Sequence, residues 1–184
     1  MTDWENDVDI TSRSIYVGRA SSSSSGEEIG PDALARLLQA LVVLERKSAA
    51  PVIIYLNTEG GCLWNVMGMC DIISASSLSV TMVGVGRVWS SGSILMQAAD
   101  YRVMSQNTTM LLHGGELSLS GHPLTGKAWV DAERSMTNTV ASMYAERSSK
   151  DANYFKRVMN RAQDTIYTAQ EALELGLIDE IGYV

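Results

Sequence analysis

The stretch V-G-V-G-R-V-W-S-S-G-S-I-L-M, Val83 to Met96, passes from β-rich to helical character within a few residues. Ser79 to Gly86 reads as a strand that stops at a glycine, and Ser91 to Ala99 as a buried helix opened by Ser90. A serine on a strand-to-helix turn has its hydroxyl thrust out of the fold. The amides of the helix's first turn lack internal partners and can stabilise a developing oxyanion. Gly92, two positions on, lets the backbone turn tightly and leaves room for a substrate. The pattern is half of a nucleophile elbow, because Val88 stands where the first Gly of G-x-S-x-G would be. A Ser-Ser-Gly-Ser run also serves as a helix cap and a turn, so the wider chain must decide between the two.

Upstream, Val52 to Leu56 (V-I-I-Y-L) is a continuous apolar strand of the kind buried on both faces of a parallel sheet. It ends in Asn57-Thr58-Glu59-Gly60-Gly61 and gives way to a helix, Leu63 to Ser74. Adjacent glycines at a strand's end allow close backbone approach to a peptide, or simply a tight turn. Downstream, Tyr101 to Met104 and Thr109 to Leu112 read as two short strands, the second ending at His113-Gly114-Gly115. Three strands thus finish on Gly-rich, polar residues, and ligands bind at the carboxyl ends of strands in an open α/β sheet.

The flanks complete the alternation. Ser14 to Val17 reads as a strand, and Leu34, Leu37, Leu38, Leu41 and Leu44 form a helical apolar face behind Pro31. A long helix is expected from Leu124 to about Ser148, its stripe of Trp129, Ala132, Met136, Val140 and Met143 serving as core or oligomer contact. Asn153 to Ala162 follows as another helix. Thr168-Ala169-Gln170-Glu171 is a capping box opening a last helix that Gly176 ends, and Leu177 to Ile181 reads as a closing strand. The pattern predicts an α/β fold with one outlying helix.

The length of 184 residues suits one sizeable core, so residues 14–184 are expected to form a single domain behind a short, acidic, mobile segment, residues 1–13. Residues 21–28, five serines and then Gly-Glu-Glu, read as a surface loop. The net charge of −7 and the lack of a Lys/Arg cluster argue against a nucleic-acid partner. No apolar run approaches the roughly 20 residues of a membrane span, and the acidic N-terminus lacks the apolar core of a signal peptide. Cys62 and Cys70 are eight residues apart on one expected helix, about 12 Å of rise and too far for a disulfide. Free thiols without an export signal point to the cytoplasm or an equivalent reducing compartment. With two histidines and no C-x-x-C, neither a metal site nor a cofactor is expected.

Acyl transfer by a serine needs a hydroxyl, a base and a group that orients the base. His113 sits at a strand end close to where two other strands deposit Ser90 and Gly60-Gly61, whereas His122 lies beside Pro123 in a polar loop. Asp164 lies between helices beside an Ile-Tyr pair, an odd place for a solvated acid, and is the candidate orienter; a helix or turn cap is its alternative role.

The chain then resembles the Clp protease proteolytic subunit family at five places in order. Y-L-N-T-E-G-G, Tyr55 to Gly61, is similar to the family's Y-I-N-S-P-G-G, and Met67 and Asp71 fall where it has G-M-x-I-x-D. Gly86 to Ser93 is similar to its nucleophile turn G-x-A-A-S-M-G-A, and Met110-Leu111-Leu112-His113 to V-M-I-H. Asp164 to Asp179 is similar to D-x-x-x-x-A-x-E-A-x-x-x-G-L-V-D. The resemblance covers about Ser14 to the C-terminus.

The resemblance implies a ClpP/crotonase-like spiral of ββα units, with a long protruding handle helix in the region 114–150. It implies Ser90 as nucleophile, His113 as base, Asp164 as orienter, and the amides of Gly61 and Ser91 as the oxyanion hole. Substrate would lie extended between Gly60-Gly61 and the residues after His113, Gly114 and Gly115. The implied activity is hydrolysis of unfolded polypeptides inside a homo-oligomeric chamber, a heptamer or stacked double heptamer, which an AAA+ unfoldase feeds. This chain departs from the family in its shorter acidic N-terminus, where others carry axial pore loops that bear on unfoldase docking. Val88-Trp89 replace two alanines, Glu59 a proline, Gly114-Gly115 a common Gln-Pro, and Thr165 a ring-linking arginine. A catalytically silent, ClpR-like structural subunit is the alternative. A Ser/Lys peptidase would need a catalytic lysine, and only Lys127, in the handle, lies between the elbow and Lys150; a crotonase would need a basic site for acyl-CoA phosphates.

Overall fold

The computed structural model describes residues 4–5, 7–18, 29–115, 120, 122–161 and 163–183. The serine run Ser21–Ser25 lies outside the described residues.

Two parallel strands form the centre, β4 (Val52–Thr58) and β5 (Val80–Trp89). On one face Val52, Ile54, Leu56, Val80 and Met82 are all at 0% exposure, while on the other Ile53 and Tyr55 of β4 are half-buried. The run in β4 was expected to be buried on both faces; its burial instead alternates, full on one face and partial on the other. β3 (Ser14–Gly18) pairs parallel on the outer side of β4. Trp4–Glu5 (β1) and Val8–Asp9 (β2) extend this edge as antiparallel strands, so the segment expected to be mobile includes two short strands.

β5 runs on past Gly86, where the sequence suggested a stop. Its first half pairs with β6 (Tyr101–Met104) through Thr81–Gly84, and its second half with β7 (Thr109–Leu112) through Arg87–Trp89. Gly86, at φ 82°, marks the change of partner, and its amide is held by the Thr108 hydroxyl at 2.9 Å. One strand shared by two neighbours makes the sheet step upward as a spiral, as the resemblance implied. β8 (Thr165–Thr168) pairs antiparallel to β7, and β9 (Glu180–Ile181) parallel to β6. β9 is shorter than the expected Leu177–Ile181 strand, because Leu177 and Ile178 are drawn into the core instead.

Helices cover the sheet. α1 (Pro31–Lys47) buries Leu37, Ala40, Leu41 and Leu44, and α2 (Leu63–Ala75) buries Val66, Met69, Cys70 and Ile73. Cys62 caps α2 rather than lying within it; both thiols are free, and burial pushes that of Cys70 up to about 12. α3 (Ser91–Met96) is wholly buried and one turn shorter than expected. α4 (Pro123–Glu146) is about 36 Å long. Its C-terminal part packs on the body through Val140, Ala141 and Tyr144, Trp129 nearer its start meets Trp64 of α2, and Leu124 stays 73% exposed. It is the outlying helix. α5 (Ala152–Met159) packs beside it, and α6 (Ala169–Leu175) begins with the capping box of Thr168 and Glu171 and ends at left-handed Gly176.

A buried cation ties the late elements together. Arg102 of β6 is 1% exposed and donates to both carboxylate oxygens of Asp179, at 2.7 and 3.0 Å, and to Gln97. Arg147, at the end of α4, donates to the same carboxylate at 2.9 Å.

Candidate active site

Strand register brings the candidate residues together. β5 and β7 pair Trp89 with Leu111, and the Ser90 amide donates to the Leu111 carbonyl at 2.9 Å. β7 and β8 pair Leu112 with Thr165, so His113 and Asp164 leave the ladder side by side. The result is a chain of contacts: His113 Nε2 lies 2.6 Å from Ser90 Oγ, and His113 Nδ1 lies 3.3 Å from Asp164 Oδ1. The hydroxyl faces one ring nitrogen and the carboxylate the other, so the carboxylate can fix the tautomer that accepts the serine proton. The Asp164 side chain is 60% exposed, so it stands at the mouth and not, as the sequence suggested, in a buried setting.

Ser90 has φ 51° and ψ −121°, a backbone usually left to glycine. It therefore forms a sharp elbow although the first glycine of the usual pattern is absent. Val88 is fully buried, and the Trp89 indole donates to the Thr109 hydroxyl at 2.9 Å, so both bulky substitutions are absorbed by the sheet. Gly60 packs against the elbow's back. At φ 108° it has a backbone unsuited to side chains, and a Cβ there would stand 2.7 Å from Ser90 Cβ. Its amide donates to Thr58 Oγ1 and its carbonyl accepts from Ile29, so both of its backbone groups are engaged within the fold. What Gly60 provides is space.

The Gly61 carbonyl accepts from the Ser91 hydroxyl at 2.8 Å, which ties the β4 turn to the first turn of α3. No acceptor for the Gly61 or Ser91 amide is found among the described residues, and both residues line the cavity that holds Ser90 and His113. That cavity has a volume of about 470 Å³. Gly114 packs on the Met159 carbonyl of α5, and Gly115 lies beside Glu133 of α4.

A polar relay from α4 was not legible in the sequence. The Ser93 hydroxyl donates to the Ser90 carbonyl at 2.7 Å and lies 2.7 Å from the Tyr144 hydroxyl. Since the Ser93 proton is committed to a carbonyl, the Tyr144 phenol is the donor of the second bond. Burial drives its pKa upward, outweighing the Ser93 bond, and keeps that proton in place. Among the described residues no group of three His, Cys, Asp or Glu side chains could hold a metal ion, and no helix is long and apolar enough to cross a membrane.

Known proteins show the same affinity. The chain is 26% identical over 157 residues to the chloroplastic ATP-dependent Clp protease proteolytic subunit 6 of Arabidopsis thaliana, covering 84% of this chain and 57% of that protein. It is 27% identical over 177 residues to ATP-dependent Clp protease proteolytic subunit 1 of Protochlamydia amoebophila, with 94% and 81% covered. To the subunit of Deinococcus radiodurans it is 23% identical over 174 residues, again with 94% and 81% covered. The Clp protease profile matches residues 10–183, nearly the whole chain, which therefore belongs to the Clp protease family.

Proposed function

We propose that this chain is a serine endopeptidase of the ClpP type, with residues 14–184 acting as one protease domain. The observation that carries the reading is the 2.6 Å contact of His113 Nε2 with Ser90 Oγ, backed by Asp164 on Nδ1. In this mechanism His113 takes the Ser90 proton as Oγ attacks the peptide carbonyl, and Asp164 stabilises the imidazolium that forms. The Gly61 and Ser91 amides receive the oxyanion. His113 then gives its proton to the leaving amine, and water, deprotonated by the same imidazole, releases the acyl group. Substrate lies extended along Gly61 on one side and Gly114-Gly115 on the other, held through its backbone. Backbone pairing alone discriminates little between polypeptides, so access must decide which chains reach the site. A homo-oligomeric chamber, a heptamer or two stacked heptamers, supplies that control, with unfolded polypeptide delivered by an AAA+ unfoldase in a reducing compartment such as the cytoplasm.

The test is fluorophosphonate labelling of the purified protein, with the adduct mapped by mass spectrometry. Labelling at Ser90 that vanishes in Ser90→Ala and His113→Ala is the expected result. An assembled protein that takes no label would overturn the reading in favour of a silent structural subunit.

A further inference from the structure

The cavity beside Ser90 contains a carboxylate that hydrolysis does not use. Glu133, Thr137, Val140 and Tyr144 follow one another at offsets of four, three and four along α4, so a single helix face lines the cavity. Val140 and Tyr144 are buried there with Ile94 and Met159, which makes an apolar wall. Glu133 is half-buried and lies toward Gly115, where a Cβ would stand 2.6 Å from its Oε1. The missing side chain makes room for the carboxylate at the mouth. Gly115 is two residues past His113, at most about 7 Å of chain, so Glu133 is within reach of a long side chain extending from the attacked carbonyl. Trp64 of α2 lines the same cavity, is 47% exposed, and meets Trp129 edge-on at 6.5 Å, one helical turn before Glu133. No ion pair among the described residues includes Glu133.

An apolar wall leading to an acid and an exposed indole fits one class of side chain. The methylenes of Lys or Arg cover apolar surface, and their cationic heads pair with carboxylates and indole faces. A glutamate would bring two carboxylates together, and a leucine would leave Glu133 unpaired. We propose that this cavity selects peptides with Lys or Arg at the residue whose carbonyl Ser90 attacks, with Glu133 and Trp64 as the specificity-determining side chains. The proposal rests on the peptidase reading for the position of cleavage.

Four blocked peptides differing only at that residue (Lys, Arg, Leu or Glu) test it in two ways. Their affinities are measured by calorimetry on the full-length Ser90→Ala protein, and their kcat/KM on the unmodified protein. Lys and Arg should bind at least tenfold more tightly than Leu, with Glu weakest. Glu133→Gln in the same background should cut the Arg-to-Leu affinity ratio about tenfold, and Glu133→Lys should favour Glu. Because the readout is a ratio, a general loss of binding cancels. Equal affinity for Leu and Arg, a ratio unmoved by Glu133→Gln, or no binding of any peptide would overturn the proposal. The basic preference in binding without hydrolysis of any peptide would retain the cation site and sink the peptidase reading. Ser90-dependent hydrolysis without the preference would do the reverse.

Discussion

Ser90 stands in a backbone region that costs a non-glycine residue of order 1–3 kcal/mol. The pairing of β5 with β7 and the packing of Gly60 behind the turn hold it there. The strain is measurable. Ser90→Gly and Ser90→Ala both lose the hydroxyl, but only glycine removes the misplaced Cβ. Ser90→Gly should therefore be the more stable of the two by about 1 kcal/mol in thermal or urea unfolding, the reverse of the order in ordinary backbone. An alanine variant as stable as the glycine variant would show that the elbow is relaxed. The residue types of Ser90, His113 and Asp164, each at the end or start of a strand, made them legible as a constellation. Tyr144 and Ser93 were not, since 51 positions separate them and nothing local to either marks the bond. The engagement of Gly60 was not legible for a related reason: whether its amide and carbonyl are spent inside the fold depends on Thr58 and Ile29, not on the glycine.

Among the elements, periodicity located the helices and strands because each buries one face or both. It could not show that β5 changes partner at Gly86, because pairing is decided between strands. Nor did it mark Arg102, which in sequence is merely one charge in a short strand. Burial alone would raise the pKa of Asp179, but the hydrogen bonds of Arg102 and the charges of Arg102 and Arg147 outweigh it and hold the carboxyl below its usual range. The unfolded chain thus takes up the proton more readily than the folded one. The resulting stability is fully present above the unfolded value near 4 and is lost as pH falls through the lower folded value. Asp179→Asn strips the carboxylate from a buried guanidinium and should cost about 3 kcal/mol at pH 7. In urea unfolding that gap from the unmodified protein should narrow below pH 4; a gap independent of pH would refute the assignment.

For the molecule as a whole, the order of strands and helices was legible from Ser14 onward but not in the N-terminal segment that holds β1 and β2, whereas association is a property of surfaces that one chain's sequence describes poorly. The first half of α4 exposes Leu124, Trp129 and Val130, on different faces of the helix. If α4 joins copies in the proposed chamber, Trp129→Ala or Met136→Ala should lower the native mass measured by light scattering at micromolar concentration. An unchanged mass would assign these side chains to the chain's own packing.

Arg102 leaves the ribosome 77 positions ahead of Asp179. Until Asp179 follows, closing the core around β6 would bury a guanidinium without its carboxylate, a state disfavoured by several kcal/mol. Asp164 also emerges long after Ser90 and His113. A nascent chain therefore holds Ser90 and His113 well before the fold can place them beside Asp164. The bond that secures the finished protein delays its completion, and the proposed peptidase would stay idle during its own synthesis.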